Sequence, residues 1–389
     1  MQIPLSSPDI NDKDRAAVLE VLDSGTLSLG PRLTAFEQAI TKLTGSRYAI
    51  AVNSGTSALH LCVKAAQIEE GDEIITTPFS FVASANCILF ENARPIFVDI
   101  DPDTLNIDVS KIEEAITPRT KAILPVHVFG RPCALADIAY IANKHGLKII
   151  EDSCEAIGAK YQGVPVGTFG ETGVFAFYPN KQLTTGEGGV IVTDDPQIAS
   201  RCRSWRNQGR SDADGWLEHD SLGYNYRLSE MNCALGISQL SRIDEILVAR
   251  TRVAGLYDRA FKDYLDIIPP RLSEPGSTIS WFVYVVRLSD DFDRDDRDRV
   301  IVELKQRGIG CRNYFPPIHL QPLYRNMFGF GPGAFPITEH VADRTIALPF
   351  FNRLSEEEIS LVCESLVNAL QVLKSASAVT EVRSLSAGA

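Results

Sequence analysis

The chain has 389 residues and a net charge of −12, with a pI near 5.1, which argues against nucleic acid or an anionic membrane as its main partner. With 44% hydrophobic and 23% charged residues, it has the composition of a globular protein with an ample core. It shows no secretion signal, no apolar run of the roughly 18 residues that a membrane helix needs, and no CxxC or zinc spacing among its cysteines. We therefore expect a cytoplasmic protein with reduced thiols and no metal site.

Short β-branched runs alternate with helical stretches along the first two thirds of the chain. They predict strands at 48–53, 72–78, 94–100, 121–130, 147–152, 172–179 and 188–194, and helices at 57–67, 83–91, 108–116 and 134–146. The apolar runs are nearly unbroken, which is typical of strands covered on both faces. The order indicates an α/β fold with a mainly parallel sheet covered by helices.

The pattern changes after a long helical region at 228–264. A strand-like run at 279–289, a helix at 296–310, a Pro-rich stretch at 314–324 and a helix near 354–373 favour a smaller C-terminal α+β domain. Because the last residues have little hydrophobicity, we expect them to be disordered. The predicted division is an N-terminal segment 1–30, a large domain 31–245, a small domain 246–374 and a tail 375–389.

A first candidate binding element is the stretch "VNSGTSAL" after the first strand. Open parallel sheets bind ligands beyond the carboxyl ends of their strands, so functional side chains are sought there. Gly55 lets the backbone approach a ligand, and the amides of Thr56 and Ser57 would open a helix, which suits a phosphate. An ordinary helix cap is the alternative interpretation.

Glu151 and Asp152 are adjacent acids at the end of another predicted strand. Side chains alternate along a strand, so the two must point in opposite directions. The one that faces inward needs a cationic partner, because a buried unpaired carboxylate is costly. A purely structural role for the pair is equally open.

Phe79, Phe81 and Lys181 also follow strands. An aromatic ring there could stack on a flat ligand, although core packing explains most such pairs. A lysine that is partly desolvated becomes a nucleophile toward carbonyls, whereas most lysines in loops are simply solvated. A phosphate cradle, a stacking ring, a carboxylate for a cation and a nucleophilic lysine together indicate a site for pyridoxal 5'-phosphate (PLP).

The chain resembles the nucleotide-sugar aminotransferases of the StrS/DegT type, within the fold-type I PLP enzymes. The resemblance covers nearly the whole chain except the tail and implies an aspartate-aminotransferase-like fold, with residues 31–245 as the PLP-binding domain. It is carried by motifs that occur in the same order, among them "VNSGTSALHL", "EDSCEAIGA", "NKQLTTGEGG", "GYNYRLSEMNCALGISQL" and "RNYFPPIHLQP".

The resemblance assigns roles to single residues. Lys181 matches the lysine that forms the Schiff base with PLP and moves protons between carbon and nitrogen. Asp152 matches the aspartate that keeps the pyridinium nitrogen protonated. The other matches are the ring-stacking Phe81, the phosphate-binding turn Gly55, Thr56 and Ser57, and Asn225, which resembles an asparagine that reaches the cofactor phosphate of the neighbouring subunit. These matches imply a homodimer with composite sites.

Two positions depart from the pattern of the family. Ala176 stands where relatives usually carry a serine that donates to the phosphate, and the lost hydrogen bond would be worth roughly 1.5–3 kcal/mol. Glu155 stands beside the expected ring hydroxyl, where many relatives have glutamine or histidine. Because a carboxylate would be repelled by a phenolate, we expect Glu155 to be protonated or to hold the ring oxygen as a phenol.

His127 is a candidate for substrate binding because it lies at a predicted strand end near the proposed site. Further candidates are Arg227, Tyr314, His319 and Arg325, because cations and planar rings suit a nucleotide diphosphate. A satisfied buried histidine is the alternative for His127, and ordinary packing is the alternative for the others. The N-terminal segment, through 23–30, is expected to lie near the active site.

The resulting hypothesis is a PLP-dependent aminotransferase that converts a nucleotide-linked keto sugar to an amino sugar, with glutamate as the amino donor implied by the resemblance. A PLP-dependent sugar dehydratase, which is a lyase, is a second hypothesis; in the dehydratases that the family suggests, histidine replaces the lysine, so Lys181 argues against it. A non-catalytic PLP-binding regulator is the third.

Overall fold

The computed structural model describes residues 2–210 and 218–387, with side chains described up to residue 375. In this part of the chain the strands are β1 (Tyr48–Val52), β2 (Glu73–Thr76), β3 (Arg94–Phe97), β4 (Thr120–Ile123), β5 (Lys148–Asp152), β6 (Lys160–Tyr161), β7 (Val164–Pro165), β8 (Thr172–Ala176), β9 (Gly189–Thr193), β10 (Ile267–Ile268), β11 (Ser277–Thr278), β12 (Tyr284–Leu288) and β13 (Thr345–Leu348).

The α-helices of the described residues are α1 (Asp12–Ser24), α2 (Pro31–Thr44), α3 (Gly55–Ala65), α4 (Ala83–Leu89), α5 (Leu135–His145), α6 (Pro196–Arg206), α7 (Glu230–Leu240), α8 (Ile243–Phe261), α9 (Arg294–Gln306), α10 (Pro322–Phe328), α11 (Pro336–Ala342) and α12 (Glu356–Ala387). Short 3-10 helices lie at Val109–Lys111, Glu113–Ala115, Val128–Gly130 and Ile318–Leu320.

The central sheet has seven strands in the order β1-β9-β8-β5-β4-β2-β3. Only β9 runs against the others: it pairs antiparallel with both β1 and β8, whereas the remaining pairs are parallel. The predicted fold class, a mainly parallel sheet covered by helices, is thus present, and the carboxyl ends of the parallel strands meet at one edge.

Both faces of this sheet are covered, as the unbroken apolar runs predict. Alternate residues of β1 enter different clusters: Ile50 packs with Leu59 of α3, and Ala49 packs with Phe36 of α2 on the opposite face. Since every residue of β9 is buried, this strand has no solvent-facing side at all.

Two predicted helices differ from the structure. The range 108–116 forms only two 3-10 turns, because the Asp108 side chain accepts from the Ser110 amide and starts a local turn instead of an α-helix. The range 228–264 is divided at Ser241–Arg242 into α7 and α8.

A second core lies in the C-terminal part of the chain, where α8, α9 and α12 pack on the sheet β10-β12-β13. Helix α8 contributes to both cores: Ile243 and Ile246 enter a cluster of the central sheet, and Val253 and Tyr257 enter the second core. The exact domain boundaries stay a prediction. Helix α8 therefore packs in both cores and connects them.

The C-terminal helix is longer than expected. The backbone of residues 375–387 continues α12, where the sequence analysis predicts a disordered tail, and no Gly or Pro interrupts this stretch before Gly388. Residues 388–389 of the predicted tail lie outside the described residues. No helix in the described part of the chain is both long and apolar enough to span a membrane.

The N-terminal segment contacts both the second core and helix α7. Ile3 forms a parallel bridge with Ile309 and is buried in the second core. Helix α1 packs on α7, where the Asp14 carboxylate accepts from Ser238 and Gln239. Within one chain, residues 2–30 do not line the central cavity.

Candidate active site

A cavity of about 560 Å³ opens at the carboxyl ends of β1, β5 and β8, which is the size range of small-molecule and cofactor sites. Residues of the C-terminal part close its other side. Its lining includes Ser54, Gly55, Thr56, Phe81, Ser84, Asp152, Glu155, Ala176, Lys181, Phe282, Asn313, Tyr314, Phe315 and Pro316.

The turn between β1 and α3 forms one end of the cavity. Ser54 caps α3, and Ser54, Gly55 and Thr56 line the cavity. A Cβ at position 55 would lie 2.7 Å from the Cβ of Ala176, so the close approach of the two strand ends requires glycine there. Ser57 is different, because its hydroxyl donates to Asn53 and its amide donates to Ser54. Of the two serines of this turn, Ser54 lines the cavity and Ser57 does not, so the role of Ser57 in phosphate binding stays a prediction.

Asp152 ends β5 with its carboxylate in the cavity and is only 4% exposed. One carboxylate oxygen accepts from the Ser84 hydroxyl at 2.7 Å, and the other accepts from the Cys154 amide at 3.1 Å. It forms no ion pair with any described Lys, Arg or His. A buried carboxylate without a cation is unfavourable, so this side of the cavity suits a cationic group of a ligand.

Glu151 points to the opposite face of the sheet, as strand alternation predicts. Its oxygens accept from the amides of Gly167, Phe169 and Gly170 and lie 3.1 Å from Nε2 of His127. Glu151 is fully buried and belongs to a satisfied structural network.

His127 belongs to that same network and does not line the cavity. Its side chain is fully buried, and the Cys133 amide donates to its Nδ1. Because Nδ1 accepts, Nε2 carries the proton and donates to Glu151. The placement supports a buried structural histidine and corrects the prediction that His127 contacts substrate.

Lys181 follows β8 and lines the same cavity as the Ser54–Thr56 turn. Its side chain is 13% exposed, and its Nζ donates to Oε1 of Glu155 at 3.3 Å. The same Nζ stands 3.9 Å from the centre of the Phe282 ring. The amine is therefore held between a carboxyl group and an aromatic face.

Glu155 is buried beside this amine. The Phe129 amide donates to its Oε2 at 3.0 Å, so one oxygen is fixed by the backbone and the other faces Lys181. Burial raises the pKa of Glu155 above its ordinary value, although the Lys181 ammonium acts in the opposite direction. This direction agrees with the expectation that the carboxyl group resists ionisation.

Phe81 and Asn225 both reach the surface. Phe81 lines the cavity and is 60% exposed in the single chain, which leaves a ring face open to the mouth. Asn225 is exposed and does not line the cavity of its own chain; its backbone carbonyl accepts from the Asn53 side chain at 3.3 Å. This placement suits a residue that would act in another subunit.

Of the predicted substrate residues, Tyr314 alone lines the cavity of its own chain. Its ring stacks on Phe315, with the ring centres 5.0 Å apart. Burial raises the pKa of Tyr314, and the nearby Glu155 adds to the effect, so the hydroxyl stays protonated.

The remaining predicted substrate residues lie elsewhere. His319 is fully buried with Nε2 3.0 Å from Glu339, and burial lowers its pKa. Arg325 is exposed on α10, away from the cavity. Arg227 is half-buried and donates to Asn207, close to Asn225 in the chain. His319 and Arg325 therefore do not line this cavity.

The residues missed by sequence reasoning differ in how visible they were. Ser84, which holds Asp152, is a hydroxyl at the start of α4 just after Phe81, so its position beyond a strand end was a usable signal. Phe282 lies far along the chain from Lys181 and has no local motif, so only the tertiary structure brings it to the amine.

The residues of the cavity fit PLP. The Ser54–Thr56 turn offers a helix start and hydroxyls for a phosphate, and Asp152 is a buried carboxylate that lacks a cation. Lys181 presents an amine to the same cavity, and Phe81 offers a ring at the mouth. The one missing donor is at Ala176, which presents a methyl group beside Gly55.

Comparison with known proteins identifies the family. Residues 8–367 match the DegT/DnrJ/EryC1/StrS aminotransferase family. The chain belongs to this family. It is 38% identical to the GDP-perosamine synthase of Caulobacter vibrioides, over 95% of this chain and 98% of that protein.

Solved structures agree with this assignment. The chain is similar to Helicobacter pylori PseC, an aminotransferase involved in the biosynthesis of pseudoaminic acid, with 33% identity over 96% of this chain and 100% of that chain and a TM-score of 0.91. It is also similar to the PLP form of the sugar aminotransferase Spr1654 of Streptococcus pneumoniae, with 26% identity over 95% and 98% and a TM-score of 0.91. The predicted fold type, sugar aminotransferase class and PLP cofactor are thereby confirmed.

Proposed function

We propose that this aminotransferase moves an amino group from glutamate to the keto carbon of a nucleotide-linked sugar, with Lys181 and Asp152 at the centre of the site. The observation that carries the proposal is the buried Asp152 carboxylate, which has no cationic partner in the described chain and shares a cavity with the Lys181 amine. The names of the relatives, a GDP-perosamine synthase and an enzyme of pseudoaminic acid biosynthesis, support a nucleotide-linked sugar as substrate.

The residues would divide the work as follows. When bound, PLP supplies an aldehyde that takes up the amino group and a cationic ring that withdraws electrons from the carbon undergoing reaction. Asp152 would hold the ring nitrogen in its charged form, and Ser84 keeps that carboxylate in place. The Ser54–Thr56 turn would hold the phosphate. Phe81 would cover the ring face.

Lys181 would carry protons between carbon and nitrogen. Its Nζ is half-enclosed by Glu155 and Phe282, so it faces the cavity instead of bulk water. Exclusion of water strengthens the electrostatic interactions of the amine. A protonated Glu155 would give a hydrogen bond to the ring oxygen without placing a second negative charge there.

We further propose a cytoplasmic homodimer with composite sites. Phe81 and Tyr178, both at the cavity, are more than half exposed in the single chain, which is unfavourable for aromatic side chains unless a partner covers them. Asn225 and Arg227 do not line the cavity of their own chain, and in the proposed dimer they would complete the partner's site, with residues 23–30 at its border. The eight cysteines are free thiols, which suits a reducing compartment.

The test is a two-step assay on the purified protein. Glutamate is added first, while the visible absorbance of the bound cofactor is followed, and a panel of nucleotide-linked keto sugars, beginning with 4-keto-6-deoxy sugars, is added next. We expect the visible band to fall with glutamate, to return with the correct sugar, and an amino sugar to appear by mass spectrometry.

Other outcomes separate the competing hypotheses. Loss of water from the sugar without uptake of an amino group would indicate a dehydratase. Cofactor binding without either reaction across the panel, and without a response to glutamate, would indicate a regulator. Absence of cofactor binding in the wild-type protein would contradict the proposal as a whole.

A further inference from the structure

Arg250 lies in α8 with its side chain only 3% exposed. It forms no ion pair with any described Asp or Glu. Instead, Nη2 donates to the carbonyl oxygen of Lys181 at 3.0 Å, and Nη1 donates to those of Phe282 at 3.2 Å and Trp281 at 3.4 Å. The Phe350 ring lies 5.4 Å from the guanidinium carbon. A buried charge is thus held by backbone carbonyls and one aromatic face.

The partners of Arg250 are backbone groups rather than a carboxylate in direct contact. Burial lowers the pKa of Arg250 to about 10, and the charge of Asp9 acts in the opposite direction, so the side chain remains charged at neutral pH. Its direct hydrogen bonds go to carbonyl oxygens that would lose a donor if the guanidinium were removed. Arg250 therefore stabilises the backbone that it binds, and the position of that backbone decides what else the residue does.

The carbonyls that Arg250 binds belong to the two chain segments that meet at the Lys181 amine. Lys181 and Phe282 are the two residues whose side chains meet at the site, with Nζ 3.9 Å from the ring centre. Arg250 binds the backbone of both at once. A neighbouring side chain forms a second set of hydrogen bonds between the same regions. Nε2 of Gln182 donates to the carbonyl oxygens of Glu155 at 2.6 Å and Ser280 at 3.0 Å.

We propose that Arg250 is a positioning residue for Lys181: its planar fork sets the separation of the Lys181 and Phe282 backbones and so holds the Phe282 ring against Nζ. This inference rests on the proposed role of Lys181. The fork of a guanidinium is rigid, whereas the ammonium of a lysine is a point charge on a flexible stem. Because α8 packs in both cores, Arg250 connects the backbone of Lys181 to that of Phe282 in the wall formed by the C-terminal part.

The same helix offers a control in Arg252, whose side chain is exposed whereas that of Arg250 is buried. Arg252 also donates to two backbone carbonyls, those of Asn352 at 3.4 Å and Leu354 at 3.1 Å, but these lie away from Lys181. Arg250→Met and Arg252→Met therefore remove the same chemical group from the same helix. Only the first removes a contact to the catalytic lysine.

The experiment compares both variants with wild type as holoenzymes. For Arg250→Met we expect kcat to fall by about 10- to 100-fold, as small misplacements of reacting groups do, while KM for glutamate changes by less than about threefold. The visible circular dichroism of the bound cofactor, divided by its absorbance, should change because it reports the angle at which the lysine holds the ring. Arg252→Met should match wild type in all three measurements.

Phe282→Leu is the second variant, because it removes the ring from Nζ and leaves the buried charge untouched. It should lower kcat and change the dichroism in the same direction even if Arg250→Met fails to fold. Wild-type kcat and dichroism in a folded Arg250→Met, or in Phe282→Leu where the first does not fold, would overturn the inference. If the wild-type protein itself transfers no amino group, the proposed function fails instead, so the two failures are distinguishable.

Discussion

The cavity has two walls of different character. The strand-end wall, formed by residues 54–56, 81–84, 152–155 and 176–188, carries the carboxylates, hydroxyls and the amine. The C-terminal wall, formed by Phe282 and residues 313–316, is mainly aromatic and apolar. In the strand-end wall the buried Asp152 carboxylate has no cationic partner among the described residues, whereas Asn313 in the C-terminal wall is already bonded to the backbone of residues 342 and 345.

The two walls therefore contribute different properties to the site. The strand-end wall is built on rigid parallel strands, which hold charged groups in fixed positions. The C-terminal wall closes the cavity and sets the environment of Lys181. Changes in the strand-end wall should therefore act on the reaction itself, and changes elsewhere should act on stability or on positioning.

The largest effect is expected for Lys181→Ala. Removal of the only group proposed to move the proton should lower amino transfer by about 10⁴-fold, the upper range for acid–base catalysis. Borohydride reduction of the holoprotein followed by peptide mass spectrometry should place the cofactor on residue 181 in wild type and nowhere in the variant. Lys160→Ala, an exposed lysine on β6, is the control. Retention of more than a tenth of the activity by Lys181→Ala would refute the assignment.

The adjacent acids provide the sharpest contrast. Asp152→Asn should lower kcat by about 10- to 150-fold, since a hydrogen bond to a charged group is worth about 1.5–3 kcal/mol. Glu151→Gln should leave kcat within about threefold but lower the free energy of unfolding by about 1–3 kcal/mol, because it disturbs a buried network of amides and His127. Steady-state kinetics and urea unfolding measure the two effects. The reverse pattern would exchange the roles of the two carboxylates.

Ala176→Ser should improve the strand-end wall. A hydroxyl at this position, beside Gly55, would donate to the cofactor phosphate and tighten PLP binding by about tenfold, equivalent to about 1.4 kcal/mol. Absorbance titration of the apoprotein gives the dissociation constant. Ala83→Ser, which adds a hydroxyl at another lining position, should leave it unchanged. Equal constants for wild type and Ala176→Ser would show that another donor already fills the position.

Glu155→Gln should lower kcat by less than about tenfold, the equivalent of one neutral hydrogen bond. Its effect on pH dependence is more specific. Because the pKa of Glu155 is raised in the folded state, the folded protein binds more protons than the unfolded chain above the ordinary pKa of 4.5, and stability falls as pH rises through that window. Glutamine does not titrate, so urea unfolding of the two apoproteins should show wild type losing stability relative to the variant as pH rises from 4. A constant difference across pH would contradict the raised pKa.

Much of the site could be predicted because it follows strand ends. Gly55, Asp152, Glu155 and Lys181 share a cavity since parallel strands place their carboxyl ends at one edge. His127 also lies near a strand end, but its side chain does not reach the cavity. Val126 lines the cavity, and strand-like alternation turns the next side chain to the other face. Which residue of such a pair faces the ligand depends on packing, and the residue types did not specify it.

The positions of the strands along the chain and the chemistry at their ends were therefore determined by the sequence, through apolar runs, glycines and isolated polar residues. The tertiary structure alone decided that Phe282 lies under the Lys181 amine and that Arg250 binds both backbones. The physical reason is distance along the chain: a strand end has a local pattern, but contacts between remote segments arise only when two cores pack around a shared helix.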